Sequence, residues 1–306
     1  MTFIRGMKYE LNLKQGFVQE NFTKRGKMGC GFDSCIIFFL ALFLLQCSVT
    51  SSREINKGHL HIMKYDQTSK EKIDPKDPQL QVFFTINDLK IGKKMPIYFP
   101  IKDPLSVPPL LSKEKADSIP FSSSQIPHLL EFFSFQENSP QAKAMKSTLK
   151  HCEFPAMKGE RKFCATSLES LIDSIREILG LNTELKVVTT KHLTKMTSSI
   201  LQNYTILENP KEIWAPRIIG CHTLPYPYAV YYCHSQVSDN KLFKILLIGE
   251  NGARIEAAAM CHMDTSQWNR DHAAFLVLKT EPGKSSVCHF FPADNLVWVP
   301  SSSGSI

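Results

Sequence analysis

Cys221-His222-Thr223-Leu224-Pro225-Tyr226-Pro227-Tyr228-Ala229-Val230-Tyr231-Tyr232-Cys233-His234 is the stretch on which the reading of this chain turns. It opens and closes on the same dipeptide, which returns at Cys261-His262 and Cys288-His289. Intervals of 10, 26 and 25 residues separate the four copies in a chain of 306. Three of the four fall on or beside runs that read as strands. Neighbouring residues of a strand point to opposite faces, so each cysteine should face away from its own histidine. One face then gathers cysteines and the other histidines.

Working outward, the ladder and its surroundings resemble the plant BURP domain. The residues that carry the likeness are the four dipeptides, Met260 to Trp268 with His272 behind them, and Pro282-Gly283 ahead of Val287-Cys288-His289-Phe290. Upstream they are Phe83-Phe84, Asp88-Leu89, Gly92, Cys152, Gly159-Glu160 and Cys164 to Glu169. The likeness covers about residues 82–300, followed by a short tail over 301–306.

Residues 1–52 are expected to lie outside the fold. Cys35 to Cys47 is an apolar run with Lys24, Arg25 and Lys27 before it and Ser48 to Ser52 after it. That run is shorter than the roughly 20 residues a spanning helix needs, and reads as a secretory signal cleaved after Thr50 or Ser52. Met28 is an alternative start, which would leave the Asn21-Phe22-Thr23 sequon untranslated. Removing 1–52 takes away six basic and three acidic residues, leaving 30 against 26 and a net charge of +4. No basic stripe interleaved with aromatics appears, so nucleic acid is not an expected partner. No membrane association is expected once the signal is removed. The mild positive balance suits an acidic cell-wall polysaccharide.

Residues 53–81 are polar and end in Asp74-Pro75-Lys76-Asp77-Pro78, a flexible approach to the domain. From Val82 the expectation is an α+β fold, a single disulfide-stabilised domain with helices first and a mostly antiparallel sheet carrying the ladder. Helices are expected over 125–135, 142–150 and from a capping box at Thr166-Ser167-Leu168-Glu169 to Gly180. Strands are expected over 185–190, 204–207, 229–233, 242–248, 253–260, 273–279 and 286–290, with a hairpin turn at Asn251-Gly252 and a turn at Pro282-Gly283.

Cleavage of the leader leaves six cysteines: Cys152, Cys164, Cys221, Cys233, Cys261 and Cys288. In an oxidising compartment these allow up to three disulfides among about 15 connectivities. Cys152 and Cys164 are expected to pair, since the other four belong to the ladder. The ladder spacing departs from a zinc finger, whose paired ligands lie about two to five residues apart, so a mixed Cys-His zinc site is the lesser reading. With the thiols oxidised, imidazoles remain, and neutral imidazole suits copper. The resemblance implies the same metal, held by His222, His234, His262 and His289. The alternative is four histidines that only hydrogen-bond within the fold. His272 and Asp264 stand near the third dipeptide, either orienting or adding to a ligand set or filling surface and capping roles. Tyr226, Tyr228, Tyr231 and Tyr232 read mostly as core. Asn203-Tyr204-Thr205 is a glycosylation sequon.

The resemblance allows three functions. The first is a secreted structural or regulatory protein of the wall, vacuole or seed and reproductive tissue, or of the stress response. The second is a copper-dependent autocatalytic peptide cyclase, and the third a non-catalytic subunit of a pectin-degrading enzyme. The leader favours the first, because 53–81 holds one aromatic residue, Tyr65, and no repeat, while Trp214, Trp268 and Trp298 all lie inside the domain.

Overall fold

The computed structural model describes residues 74–101, 107–195, 199–237 and 239–301. The expected leader, Tyr65 and most of 53–81, and the tail after Ser301 lie outside the described residues. Among the described residues, no helix is long and apolar enough to cross a membrane.

Among the described residues, two short strands, β1 (Phe83–Phe84) and β2 (Lys94–Tyr98), come before the first α-helix. The helices α1 (Lys113–Asp117), α2 (Ile126–Phe132) and α3 (Pro140–Glu153) follow, then β3 (Glu160–Ala165) and α4 (Leu168–Leu179). In α3 the Ser139 hydroxyl caps the Ala142 N–H and Pro140 stands in the first turn, where its missing N–H costs nothing. Ala142, Met145 and Leu149 recur on one buried face. Met145 and Leu149, together with Leu129 of α2, pack on Leu224 and Val230, and full burial of each Leu or Met contributes roughly 1.5–3 kcal/mol.

The remainder is strand: β4 (Leu185–Val188), β5 (Lys191–His192), β6 (Leu201–Ile206), β7 (Lys211–Ile213), β8 (Ile219–Leu224), β9 (Val230–Gln236), β10 (Asn240–Gly249), β11 (Arg254–His262), β12 (Val287–Phe290) and β13 (Leu296–Pro300), with helix α5 (Ala273–Leu278) between β11 and β12. The expected antiparallel sheet is two sheets. The larger runs β1-β12-β11-β10-β6-β2, with β5 on β11 and β7 on β10, and the smaller runs β3-β9-β8-β13-β4. Among the described residues, every pairing between these strands is antiparallel. At the β10–β11 turn Gly252 takes φ 81°, a conformation open to glycine. The Asn251 side chain closes that turn by accepting from the Ala253 N–H.

Two local expectations are corrected. The strand expected over 273–279 is instead helix α5 (Ala273–Leu278): the His272 side chain accepts the Ala274 N–H as N-cap, and Lys279 ends the helix at φ 52°. The N-cap of α4 is Ser167, one residue later than expected. Its reciprocal partner is therefore the Ser170 hydroxyl, and Glu169 only faces the helix dipole in the first turn. The apolar stripe Leu171, Ile175 and Ile178 and the stop at Gly180 are as expected.

The faces of the small sheet place the site. Val188 and Val297 pack against Leu242, Ala258 and Met260 of the large sheet, forming the core between the sheets. Register puts Val297 opposite Gly220, and Gly220 opposite His234, on that same face. Farther along, Leu224 and Val230 meet α2 and α3 instead. The inner face is thus shared between a sheet and a pair of helices, and the histidines occupy the gap.

Candidate functional site

All four dipeptides lie on strands, in two hairpins of one plan. Cys221 stands directly opposite Cys233 on β8 and β9, and Cys261 opposite Cys288 on β11 and β12. Both pairs are disulfide-bonded, and Cys152–Cys164 ties α3 to β3. With all six cysteines oxidised there is no thiolate to bind zinc, and the mixed Cys-His reading is dropped. Alternation turns each histidine to the face opposite its cysteine, and the two histidines of each hairpin sit diagonally about the disulfide. His222 faces Tyr232 and His234 faces Gly220, while His262 faces Val287 and His289 faces Met260.

The two histidine faces meet. Ring centroids run His234, His222, His289, His262 at successive separations of 5.6, 5.9 and 5.6 Å. Phe291 stacks on His222 at 5.2 Å and lies 4.8 Å from His289. Trp268 extends the series, 4.9 Å from His262 and 4.7 Å from His272. The rings open on a cleft of about 230 Å³ whose walls include Phe83, Phe154, Met157, Lys162 and Trp268.

Polar neighbours hold the rings. Asn240, directly opposite His262 in the ladder, places Oδ1 2.8 Å from its Nδ1. Asn295 places Nδ2 3.0 Å from Nδ1 of His222. Glu160, its side chain 5% exposed, lies 3.3 Å from Nδ1 of His234 and also takes the Tyr232 hydroxyl at 3.4 Å. Burial raises the Glu160 carboxyl, but the hydrogen bonds from His234 and the Met157 N–H outweigh it and hold it below the usual range. Burial pushes His289 down to about 3 and His272 to about 4. It also pushes His262 well below the ordinary value, helped by the neighbouring His289 and His234. These imidazoles are neutral near pH 7, the form that binds metals.

Sequence reasoning passed over His151. It lies on α3 with its ring 4.3 Å from Tyr232, and burial and then Lys162 push it to about 4. Its Nε2, like Nε1 of Trp268, is buried without a hydrogen-bond partner among the described residues. Nothing in the local sequence marks it, since only the α3–β3 disulfide and the packing on β9 bring it to the cleft. Asp264 is exposed and closes its own turn by accepting from the Ser266 N–H. His272 caps α5 through Nδ1. Tyr226 and Tyr228 are core under α2 and α3. Asn203 is exposed on β6, its amide donating to Glu250. His128 is exposed on α2, away from the cluster.

Among the described residues, no three His, Cys, Asp or Glu side chains already stand as a closed metal site. Ligating nitrogens would have to reach about 2.0–2.1 Å from a shared ion, so side-chain rotations are required. The donor chemistry fits copper: four convergent imidazoles, of which His262 and His289 are held neutral by burial, with Nδ1 contacts from outside the cluster and the orphaned Nε2 of His151 on the same cleft.

Comparison with known proteins identifies the BURP domain over residues 82–300. BURP domain protein USPL1 of Arabidopsis thaliana is 51% identical over 227 residues, covering 73% of this chain and 81% of that protein. BURP domain-containing protein BNM2A of Brassica napus is 52% identical over 227 residues, covering 73% and 80%. BURP domain protein RD22 of Arabidopsis thaliana is 37% identical over 236 residues, covering 76% and 59%.

Proposed function

Because the chain belongs to the plant BURP-domain family, we propose that it is an exported, disulfide-bonded protein whose histidine cluster binds copper. Its role on this reading is structural or regulatory, in the cell wall, vacuole or seed and reproductive tissue, or under stress. Its partner there is an acidic wall polysaccharide or a wall enzyme, and Asn203 is a glycan acceptor. One observation supports the copper reading above the rest: four histidines from two sheets converge on a single cleft. Burial keeps three of the neighbouring imidazoles neutral, and Asn240 and Glu160 orient two of the ladder rings. Copper, when bound, supplies one-electron and dioxygen chemistry. The protein's own part is to hold neutral rings in a fixed orientation and to shield them between Phe291, Phe83 and Trp268.

Elemental analysis of protein purified from a secretory host, with intact mass, tests this. Wild-type protein and His128→Ala should retain copper after dialysis, and His234→Ala/His262→Ala should lose it. Equal occupancy in all three would remove the cluster as the site.

A second reading, oxidative cyclisation of a peptide, is favoured by the cleft itself, which is open beside the rings and walled by Phe83, Phe154 and Met157. Forming the crosslink would remove two hydrogens from the peptide, with dioxygen as acceptor. Mass spectrometry of reduced, digested protein before and after aerobic copper loading would show that loss, and at Tyr65 if residues 53–81 are the substrate.

A further inference from the structure

The four ladder histidines are not chemically equivalent, and two asparagines make them differ. Asn240 and Asn295 both address Nδ1 of a ladder histidine, but with opposite ends of the amide. The Asn240 Nδ2 donates to the Gln236 carbonyl at 3.1 Å, which leaves Oδ1 for His262. Reversing this amide would set oxygen against the carbonyl oxygen. An oxygen at 2.8 Å can only accept, so Nδ1 of His262 carries the proton and its Nε2 is the nitrogen with the lone pair.

At Asn295 the anchor is a donor. The Thr223 N–H donates to Oδ1 at 3.2 Å, so Nδ2 is the end that meets His222 at 3.0 Å. Reversal would bring two N–H groups together. Nδ1 of His222 therefore accepts, and in a neutral ring the single proton sits on Nε2. The ring is oriented so that this nitrogen lies over Gly220, where an added Cβ would come 3.8 Å from Nε2 and 3.4 Å from the Phe291 ring. At His234 the neighbour is the Glu160 carboxylate, an acceptor, so that ring follows His262.

We propose that Asn240 and Asn295 fix His262 and His222 in opposite neutral tautomers, so that His262, with His234, offers a metal-binding Nε2 lone pair while His222 offers an Nε2–H. His222 is then a hydrogen-bond donor within the site, directed at an oxygen or other acceptor of whatever is bound there, and not a ligand through that nitrogen. The tautomer assignment stands on the hydrogen-bond network alone. The division of roles at a metal rests on the copper reading above.

The first measurement needs no metal. Long-range ¹H–¹⁵N correlation of the histidine side chains in metal-free protein near pH 7 reads the protonated nitrogen of each ring, with His222→Gln and His262→Gln used for assignment. His262 should be protonated at Nδ1 and His222 at Nε2. A His222 ring protonated at Nδ1 would overturn the proposal. Asn295→Asp replaces the donor by an acceptor while keeping an oxygen for Thr223, and should switch His222 to the Nδ1–H form. Asn240→Asp should leave His262 unchanged.

The second measurement is a copper competition titration on the same proteins. His262→Gln should weaken binding at least tenfold, and His222→Gln, whose amide can still donate, by much less. Asn295→Asp should tighten binding, because it turns a lone pair inward at His222. Equal losses in the two glutamine variants would refute the division of roles. If wild-type protein binds no copper while the tautomers are as stated, the copper reading fails and the tautomer assignment survives.

Discussion

The β8–β9 and β11–β12 hairpins repeat one plan in different surroundings. Each bridges directly opposed cysteines on one face and sets two histidines diagonally on the other. The first bridge spans a sequence separation of 12 and the second 27, because α5, Trp268 and His272 are inserted before β12. The first hairpin places His234 against a carboxylate. The second holds His262 and His289 among the rings of Trp268, Phe83 and Phe291. A dipeptide fixes which way a histidine faces, and the neighbouring strands fix what it can do there.

The comparison can be broken hardest at the disulfides. In the loop-entropy account, removing the 27-residue bridge costs about 3.5 kcal/mol and the 12-residue bridge about 2.8 kcal/mol. Urea denaturation of Cys261→Ala/Cys288→Ala and Cys221→Ala/Cys233→Ala should therefore separate the two by about 0.7 kcal/mol. Equal or reversed losses would mean that local packing, not loop length, distinguishes the hairpins.

Acid sharpens it next. His289 titrates in the folded protein at about 3 and His272 at about 4, both below the ordinary value of 6.5 for an unfolded chain. The unfolded state then binds more protons between these limits, so their contribution is complete above pH 6.5 and is lost as pH falls toward the folded values. Between about pH 6.5 and 5 each such histidine costs roughly 1.5 kcal/mol. His289→Gln should flatten the stability curve over that interval by about that amount. A slope unchanged from wild type would show that the ring is hydrated in solution.

The smallest effect belongs to the first hairpin. Glu160→Gln keeps a hydrogen-bonding side chain but removes the charge that faces His234 and Tyr232, and should cost about 1 kcal/mol. Hydrogen exchange should quicken in β9 while β11 is unaffected. A uniform change across both sheets would mean that the carboxylate serves the whole domain.

Much of this was legible in the sequence. The α+β class, the hairpin at Asn251-Gly252, the pairing of Cys152 with Cys164 and the strands β4, β6, β9, β10, β11 and β12 followed from period, turn residues and cysteine arithmetic, whereas β3, β8 and β13 of the smaller sheet did not. Ala273–Leu278 was misread because six apolar residues are too few to separate helix from strand by period, and the signal that decides, a histidine as N-cap, is uncommon. The division into two sheets was hidden because it depends on which strands pair over long distances. Asn240 and Asn295 gave no sign at all, since their meaning comes from standing across a ladder from a histidine.

Back-to-back placement of cysteine and histidine has a consequence for how the protein assembles. If β8 and β9, or β11 and β12, paired one residue out of step, the cysteines would point to opposite sides and could not be joined. The same slip would turn a histidine of that hairpin out of the cleft. Oxidation thus proofreads the site: a hairpin that has closed its bridge has already shown that its imidazoles face inward.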